Sequence, residues 1–207
     1  MREIYVVTHT ESVHHVEGSV GGWYDTGLTE RGQRQAEAVG ERVAELLDGS
    51  PARVVTSDLA RARETAERIA ARLGVVFEET SDLREMSYGV AEGRPQAWLD
   101  ERFVAPPEEN RLDSRSIEGG ETKRELATRV YRGMARILES DAAAQVVVTH
   151  GFALTFVVAA WVGMPLEAAG YINLRSTSGG ITHLQEDDFF RNRAIRVLNE
   201  TAHLEGI

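Results

Sequence analysis

Short apolar, β-branched runs alternate with helical patterns through most of this 207-residue chain, and that alternation leaves few folds open. Residues 4–8 and 145–149 have the composition of strands buried on both faces, and 53–56 and 75–77 read as two more. Between them lie helical patterns. Thr29 is a good N-cap and Glu30 suits the positive end of a helix, after which Ala36, Val39, Val43, Leu46 and Leu47 recur at helical spacing until Gly49-Ser50-Pro51. Leu59, Ala62, Ala66, Ile69 and Leu73 form a second helical side, with Ser57 expected as its cap and Gly74 as its stop. Thr122-Lys123-Arg124-Glu125 has the form of a capping box. It opens a helix with Leu126, Val130, Met134, Ile137 and Leu138 on one side. A further helix follows His150, and strands are expected near 171–174, 180–184 and 194–198. This order predicts a three-layer α/β/α sandwich around a mostly parallel sheet.

No repeat, linker or low-complexity stretch divides the chain, so residues 1–207 read as one domain. Segment 93–120 is irregular and charged, holds Pro95, Pro106 and Pro107, and reads as an inserted lid. The absence of cysteine excludes disulfides, thiolate metal sites and a cysteine nucleophile. The net charge of −10 argues against a nucleic-acid partner, because phosphate backbones need a basic face. Any phosphate site must then be assembled locally. No apolar run has the length of a membrane span, and a cytoplasmic protein is expected. The oligomeric state is open, a homodimer being one alternative.

Two of the expected strands end in a histidine, His9 and His150. In open α/β sheets ligands bind beyond the carboxyl ends of the strands, where the strand order switches. Two imidazoles delivered to that rim form a candidate catalytic pair. The neighbouring residues are more specific. They include Val7-Thr8-His9-Thr10-Glu11, Gly22-Trp23-Tyr24-Asp25 and Leu28-Thr29-Glu30-Arg31-Gly32. Further along come Ser57-Asp58-Leu59-Ala60-Arg61-Ala62, Leu83-Arg84-Glu85 with Tyr88-Gly89, and Val148-Thr149-His150-Gly151. In this order, along nearly its whole length, the chain resembles the histidine phosphatase (phosphoglycerate mutase-like) superfamily.

The resemblance implies a phosphatase acting on a small phosphomonoester, with no cofactor or metal. His9 would take the phosphoryl group on nitrogen, Arg61 would grip phosphate oxygens, and His150 would donate to them beside the backbone of Gly151. Glu85 would protonate the departing oxygen and then deprotonate water. Imidazole attacks through an unprotonated nitrogen, so a partner on the other nitrogen must fix the tautomer.

The chain departs from the family pattern at the nucleophile, where Arg-His-Gly is usual and Thr8-His9-Thr10 stands here. One charge-assisted contact is worth about 1.5–3 kcal/mol, and loss of an electrostatic stabiliser costs about 10²–10³ in rate. His15, preceded by His14, replaces a usual asparagine, and Ser19 stands where an arginine often binds substrate. Thr8, Thr10, His15, Ser19 and Gly22 are therefore candidate substrate-binding residues together with Gly151. A protonated His15 is expected to replace part of the missing positive charge. The charge lost near Ser19 disfavours a mutase, which must hold a second anionic group. The spacing of His9, His14 and His15 fits no standard zinc motif. The change at Thr8 also keeps open a ligand-binding relative without catalysis, or an enzyme repurposed to a less anionic substrate.

Overall fold

The computed structural model describes residues 1–207 and holds a six-stranded sheet in the order β3-β2-β4-β1-β5-β6. Strands β1 (Arg2–Thr8), β2 (Ala52–Ser57), β3 (Phe77–Thr80) and β4 (Ala144–Thr149) are mutually parallel. Strands β5 (Ile181–Glu186) and β6 (Arg193–Glu200) add an antiparallel edge. Helices α2 (Glu30–Leu47) and α3 (Ala60–Leu73) cover one face, while α5 (Lys123–Leu138) and α6 (Ala153–Trp161) cover the other. Short helices α1 (Val13–Glu17), α4 (Gln96–Asp100) and α7 (Leu166–Ala169) lie in the connections.

The period-2 geometry of a strand explains why the central runs are apolar without interruption. In β1, Ile4 and Val6 pack into the α5/α6 side, while Tyr5 and Val7 pack into the α2/α3 side. In β4, Val147 enters the first cluster and Val146 and Val148 the second. Each such side chain, fully buried, contributes roughly 1.5–3 kcal/mol. The chain leaves β1 toward β2 and leaves β4 toward β5, so the strand order reverses between β1 and β4. That is the topological switch point.

The caps of α2 and α5 are where the sequence places them. Thr29 accepts from the Gly32 N–H, and Thr122 and Glu125 form a reciprocal capping box. Segment 93–120 is irregular apart from α4 and a 3₁₀ turn at Glu108–Asn110. Three local expectations need correction. The third strand starts at Phe77 because Gly74, at φ +69°, turns the Val75 N–H back to Ala70 O, so Val75 still belongs to the helix exit. Residues 171–174 form no strand. The N–H groups of Tyr171 and Ile172 return to Ala168 and Ala169, and that of Leu174 donates to Thr155 Oγ1. Ser57 ends β2 instead of capping α3, whose N-cap position is Leu59.

The loop after β1 is pressed against α2. A Cβ added to Gly32 would stand 1.9 Å from Glu11 O, a backbone atom. Gly32→Ala must therefore push that loop away, at an expected loss of about 3 kcal/mol in urea unfolding. A loss below 1 kcal/mol, roughly the ordinary scatter of surface changes, would show that the approach imposes no constraint.

Candidate active site

His9 extends β1 by one residue, its N–H donating to Thr149 O at 2.9 Å. Because Thr8 and Thr149 are register partners in neighbouring parallel strands, His9 and His150 emerge side by side, with ring centroids 5.0 Å apart and an edge-on arrangement. Nδ1 of His9 lies 2.8 Å from Thr10 O. A carbonyl only accepts, so Nδ1 carries the proton and Nε2 the lone pair. Arg61 Nε–H donates to that Nε2 at 3.2 Å. Burial, then the Arg61 guanidinium and the His15 ring, hold the His9 pKa well below its ordinary value. The imidazole is thus neutral, in the tautomer that presents Nε2.

Arg61 lies in the first turn of α3 and is 1% exposed. Beyond its bond to His9, Nη1 donates to Tyr24 O at 3.0 Å and Nη2 to Gly22 O at 2.7 Å. A guanidinium has five donors, so two N–H groups stay free. Gly22 has φ +58°, and a Cβ there would meet Glu92 Oε1 at 2.9 Å, which explains glycine at the carbonyl that fixes Arg61.

Glu85 is held at the amino end of α6. Its Oε1 accepts from Met86 N at 2.8 Å and Ala153 N at 3.1 Å, and its Oε2 accepts from Phe152 N at 2.9 Å. Oε1 is saturated, so Oε2 is the atom with a site left for a proton. The loop carrying Glu85 is clamped from behind. Arg129 donates to the carbonyls of Asp82, Arg84 and Glu85 and pairs with Glu121, while Trp23 Nε1 donates to Glu85 O at 2.7 Å.

These groups enclose a 230 Å³ cavity lined by Thr8, His9, His14, His15, Arg61 and Glu85, with Gly22, Tyr88, Gly151, Ser176 and Ser178 among the rest of its wall. A second cavity of 650 Å³ shares Tyr88, Gly151 and Ser176 with it. Burial pushes the Tyr88 hydroxyl up to about 12, so it stays protonated at neutral pH. Three buried polar atoms here find no partner within the protein: Thr8 Oγ1, His150 Nδ1 and Ser176 Oγ. Buried polar groups are normally satisfied, so this concentration marks a place for a polar ligand. No group of three or more His, Cys, Asp or Glu side chains is arranged to hold a metal ion.

The structure brings together His9, Arg61, Glu85, Thr8, His15, Gly22 and Gly151, with His150 packed against His9. It does not bring Thr10 or Ser19 into the cavity, and His150, fully buried with Nε2 against Ser57 Oγ, is not among the residues that line it. Thr10 Oγ1 donates to Gly32 O at 2.8 Å and ties β1 to α2, and Ser19 forms an isolated bridge with Pro95. His15 stacks on His9 at 5.4 Å between centroids, but the expected histidinium needs correction. Ser12 N–H donates to His15 Nδ1 at 3.3 Å, and burial and Arg61 lower the His15 pKa. His15 therefore offers a neutral Nε2–H donor. His14 is buried beneath it, with Nδ1 2.9 Å from Ser12 Oγ and 3.1 Å from Thr26 Oγ1.

Sequence reasoning missed Ser57, Ser176 and Ser178 as site residues. Ser57 Oγ lies 2.8 Å from His150 Nε2, leaving Nδ1 as that ring's unpartnered atom. Ser176 and Ser178 belong to a run of small residues, Ser176-Thr177-Ser178-Gly179-Gly180, ahead of β5. That run was a usable signal for a loop lying close to a ligand.

Neighbouring imidazoles thus stand at the switch point of an α/β sheet, with a guanidinium tied to one of them. The kinship is equally definite: the chain belongs to the histidine phosphatase superfamily (branch 1), whose pattern it matches over residues 4–197. It is 32% identical over 210 residues to a probable phosphoglycerate mutase GpmB of Salmonella choleraesuis, covering 100% of this chain and 96% of that protein. Among solved structures it resembles a mycobacterial glucosyl-3-phosphoglycerate phosphatase complexed with VO3. That match has TM-score 0.80 and 25% identity, over 97% of this chain and 100% of the other. A putative alpha-ribazole-5'-P phosphatase from Escherichia coli matches with TM-score 0.74 and 26% identity over 96% of each chain.

Proposed function

We propose that this protein is a phosphoric monoester hydrolase that acts on a small phosphorylated substrate through a phosphohistidine on His9. The observation that carries this reading is the tautomer. With Nδ1–H committed to Thr10 O, Nε2 is the nucleophilic atom, and it opens on the cavity that Arg61 and Glu85 share. Nε2 gives up its bond from Arg61 Nε–H and attacks phosphorus, the P–O ester bond breaks, and the leaving oxygen takes a proton from Glu85 Oε2. Glu85, now a carboxylate, removes a proton from water. The water oxygen attacks phosphorus, the P–N bond breaks, its electron pair returns to Nε2, and phosphate leaves. Phosphoryl transfer needs positioning and charge around the equatorial oxygens. Here Arg61 supplies the charge, while the Thr8 and Ser176 hydroxyls and the His15 N–H supply neutral donors. Thr8 supports a second reading, a site adapted to bind or process a less anionic ligand.

The test is a panel of phosphomonoesters, read as phosphate release and as acid-labile phosphorus trapped on His9. No turnover across the panel would reject the hydrolase reading in favour of the second. Glu85→Gln sharpens it. Loss of a general acid costs about 10²–10⁴ in rate, so alkyl phosphates should lose that much. p-Nitrophenyl phosphate, whose leaving group needs no proton, should still phosphorylate His9 and leave the phosphoenzyme to accumulate. Equal losses in the rate of phosphoenzyme formation from both substrates would remove Glu85 from the acid role.

A further inference from the structure

Glu92 lines neither cavity, yet it ties together the two loops that hold the reacting groups. Its Oε1 accepts from the Trp23 N–H at 3.0 Å, the Tyr88 N–H at 2.9 Å and the Ser87 hydroxyl at 2.8 Å. Three donors on one oxygen outnumber its two lone pairs, a crowding that a full negative charge tolerates and a neutral amide does not. The first donor belongs to the loop that fixes Arg61. Trp23 stands between Gly22 and Tyr24, whose carbonyls accept from Nη2 and Nη1. The other two belong to the loop that carries Glu85. Trp23 closes the ring from its other end, where its indole N–H donates to Glu85 O and the Arg84 guanidinium stands 5.0 Å from the indole centre. Behind Glu92 the tie continues, with Gly93 N–H donating to Val20 O at 2.9 Å and Val20 N–H to Arg94 O at 2.8 Å. Arg61 is what makes this connection matter. It is buried, and apart from His9 its side-chain partners are two carbonyls of that one loop. Glu85, Asp25 and Glu92 favour its charged form without touching it. A guanidinium anchored in this way follows every displacement of the loop.

We propose that Glu92 is a positioning residue whose single carboxylate oxygen sets the spacing between the Arg61 guanidinium and the Glu85 carboxyl, by clamping loop 22–24 to loop 85–88. The proposal rests on the phosphatase reading for what those two groups do. A misplacement of about 1 Å can cost about 10² in rate. Removing the clamp therefore disturbs both groups at once, although Glu92 never meets the substrate.

The experiment follows phosphorylation of His9 by rapid quench in Glu92→Ala and Glu92→Gln, reading rate and amplitude separately. Loss of fold lowers the amplitude, which counts competent sites, and leaves the rate of each site unchanged. Loss of positioning lowers the rate. p-Nitrophenyl phosphate, which needs Arg61 but no proton, should react about tenfold more slowly in Glu92→Ala. An alkyl phosphate, which also needs Glu85, should react about a hundredfold more slowly. Glu92→Gln, which keeps an acceptor oxygen without its charge, should recover part of both losses. A second measurement needs no turnover: the affinity for inorganic phosphate, measured by calorimetry, should fall about tenfold in Glu92→Ala. Rates per site that stay normal on both substrates overturn the clamp and leave the phosphatase reading in place. Equal losses on the two substrates would confine Glu92 to Arg61 and overturn the joint clamp. Weakened phosphate binding in a protein that turns over no substrate upholds the hold of Glu92 on Arg61 and overturns the phosphatase reading.

Discussion

His9→Ala is expected to abolish phosphoenzyme formation and to lower kcat by a factor on the order of 10⁶. The expectation follows from the geometry around one nitrogen. Nε2 of His9 is the atom facing both the guanidinium and the cavity, and no other imidazole has an equivalent place. His150 does not line that cavity and its Nε2 meets Ser57 Oγ, while His15 Nδ1 accepts from the backbone N–H of Ser12 and not from the guanidinium. The backbone at residue 9 is held by the β1–β4 ladder, and Arg61 keeps its bonds to Gly22 O and Tyr24 O. The variant should therefore fold, which circular dichroism and a urea titration would verify. Phosphate release that persisted at more than about a thousandth of the normal rate would exceed what binding and electrostatic groups alone commonly retain. It would indicate direct attack by water, with Glu85 as base.

The same imidazoles should make the protein sensitive to mild acid. His9, His14 and His150 are buried, and all three have pKa values below the ordinary 6.5, that of His14 at about 3. Burial is the largest cause in each, followed by the neighbouring Arg61 or His15 charge. In the unfolded chain these groups titrate near about 6.5. Below that pH the unfolded state binds protons that the folded state refuses, so stability is complete above about 6.5 and falls as pH drops. Each group contributes about 1.4 kcal/mol per pH unit once the unfolded imidazole is protonated, so the three together approach about 4 kcal/mol per unit. Measured between pH 6.5 and 5, the loss precedes protonation of most carboxylates and can be assigned to histidine. His14→Gln, which keeps a polar group near Ser12, should reduce the slope by about 1.4 kcal/mol per unit. A stability that stayed flat over this interval would contradict the neutral, desolvated state of the cluster.

What the sequence disclosed follows from how local each signal is. The strands β1 and β4 were legible because a strand buried on both faces must be apolar throughout, and the helices because Thr29 and the Thr122–Glu125 pair carry their own caps. His9, Arg61, Glu85 and His150 could be named from family blocks alone. The failures were cases where a tertiary partner decided. Ser57 has the chemistry of a helix cap, yet its hydroxyl is used by His150 from a strand 93 residues away. Residues 171–174 have strand-forming side chains, but Thr155 takes the Leu174 N–H that a ladder would need. Thr10 neighbours the nucleophile in sequence, while the pleat turns its side chain to Gly32 and α2. His15 was expected to carry charge because a missing arginine suggests one. Its pKa is instead lowered by burial and by Arg61, and its Nδ1 accepts from the N–H of Ser12, the N-cap of a five-residue helix that no pattern in the chain announced.

His9 and its partner His150 follow adjacent strands locked in register, whereas Phe103, Pro106, Arg111 and Ser116 of the larger cavity come from the 93–120 connection. If the proposed hydrolase reading holds, reactivity and selectivity reside on parts of the polypeptide that can change independently, and the connection could be rewritten for new substrates without disturbing the histidine pair.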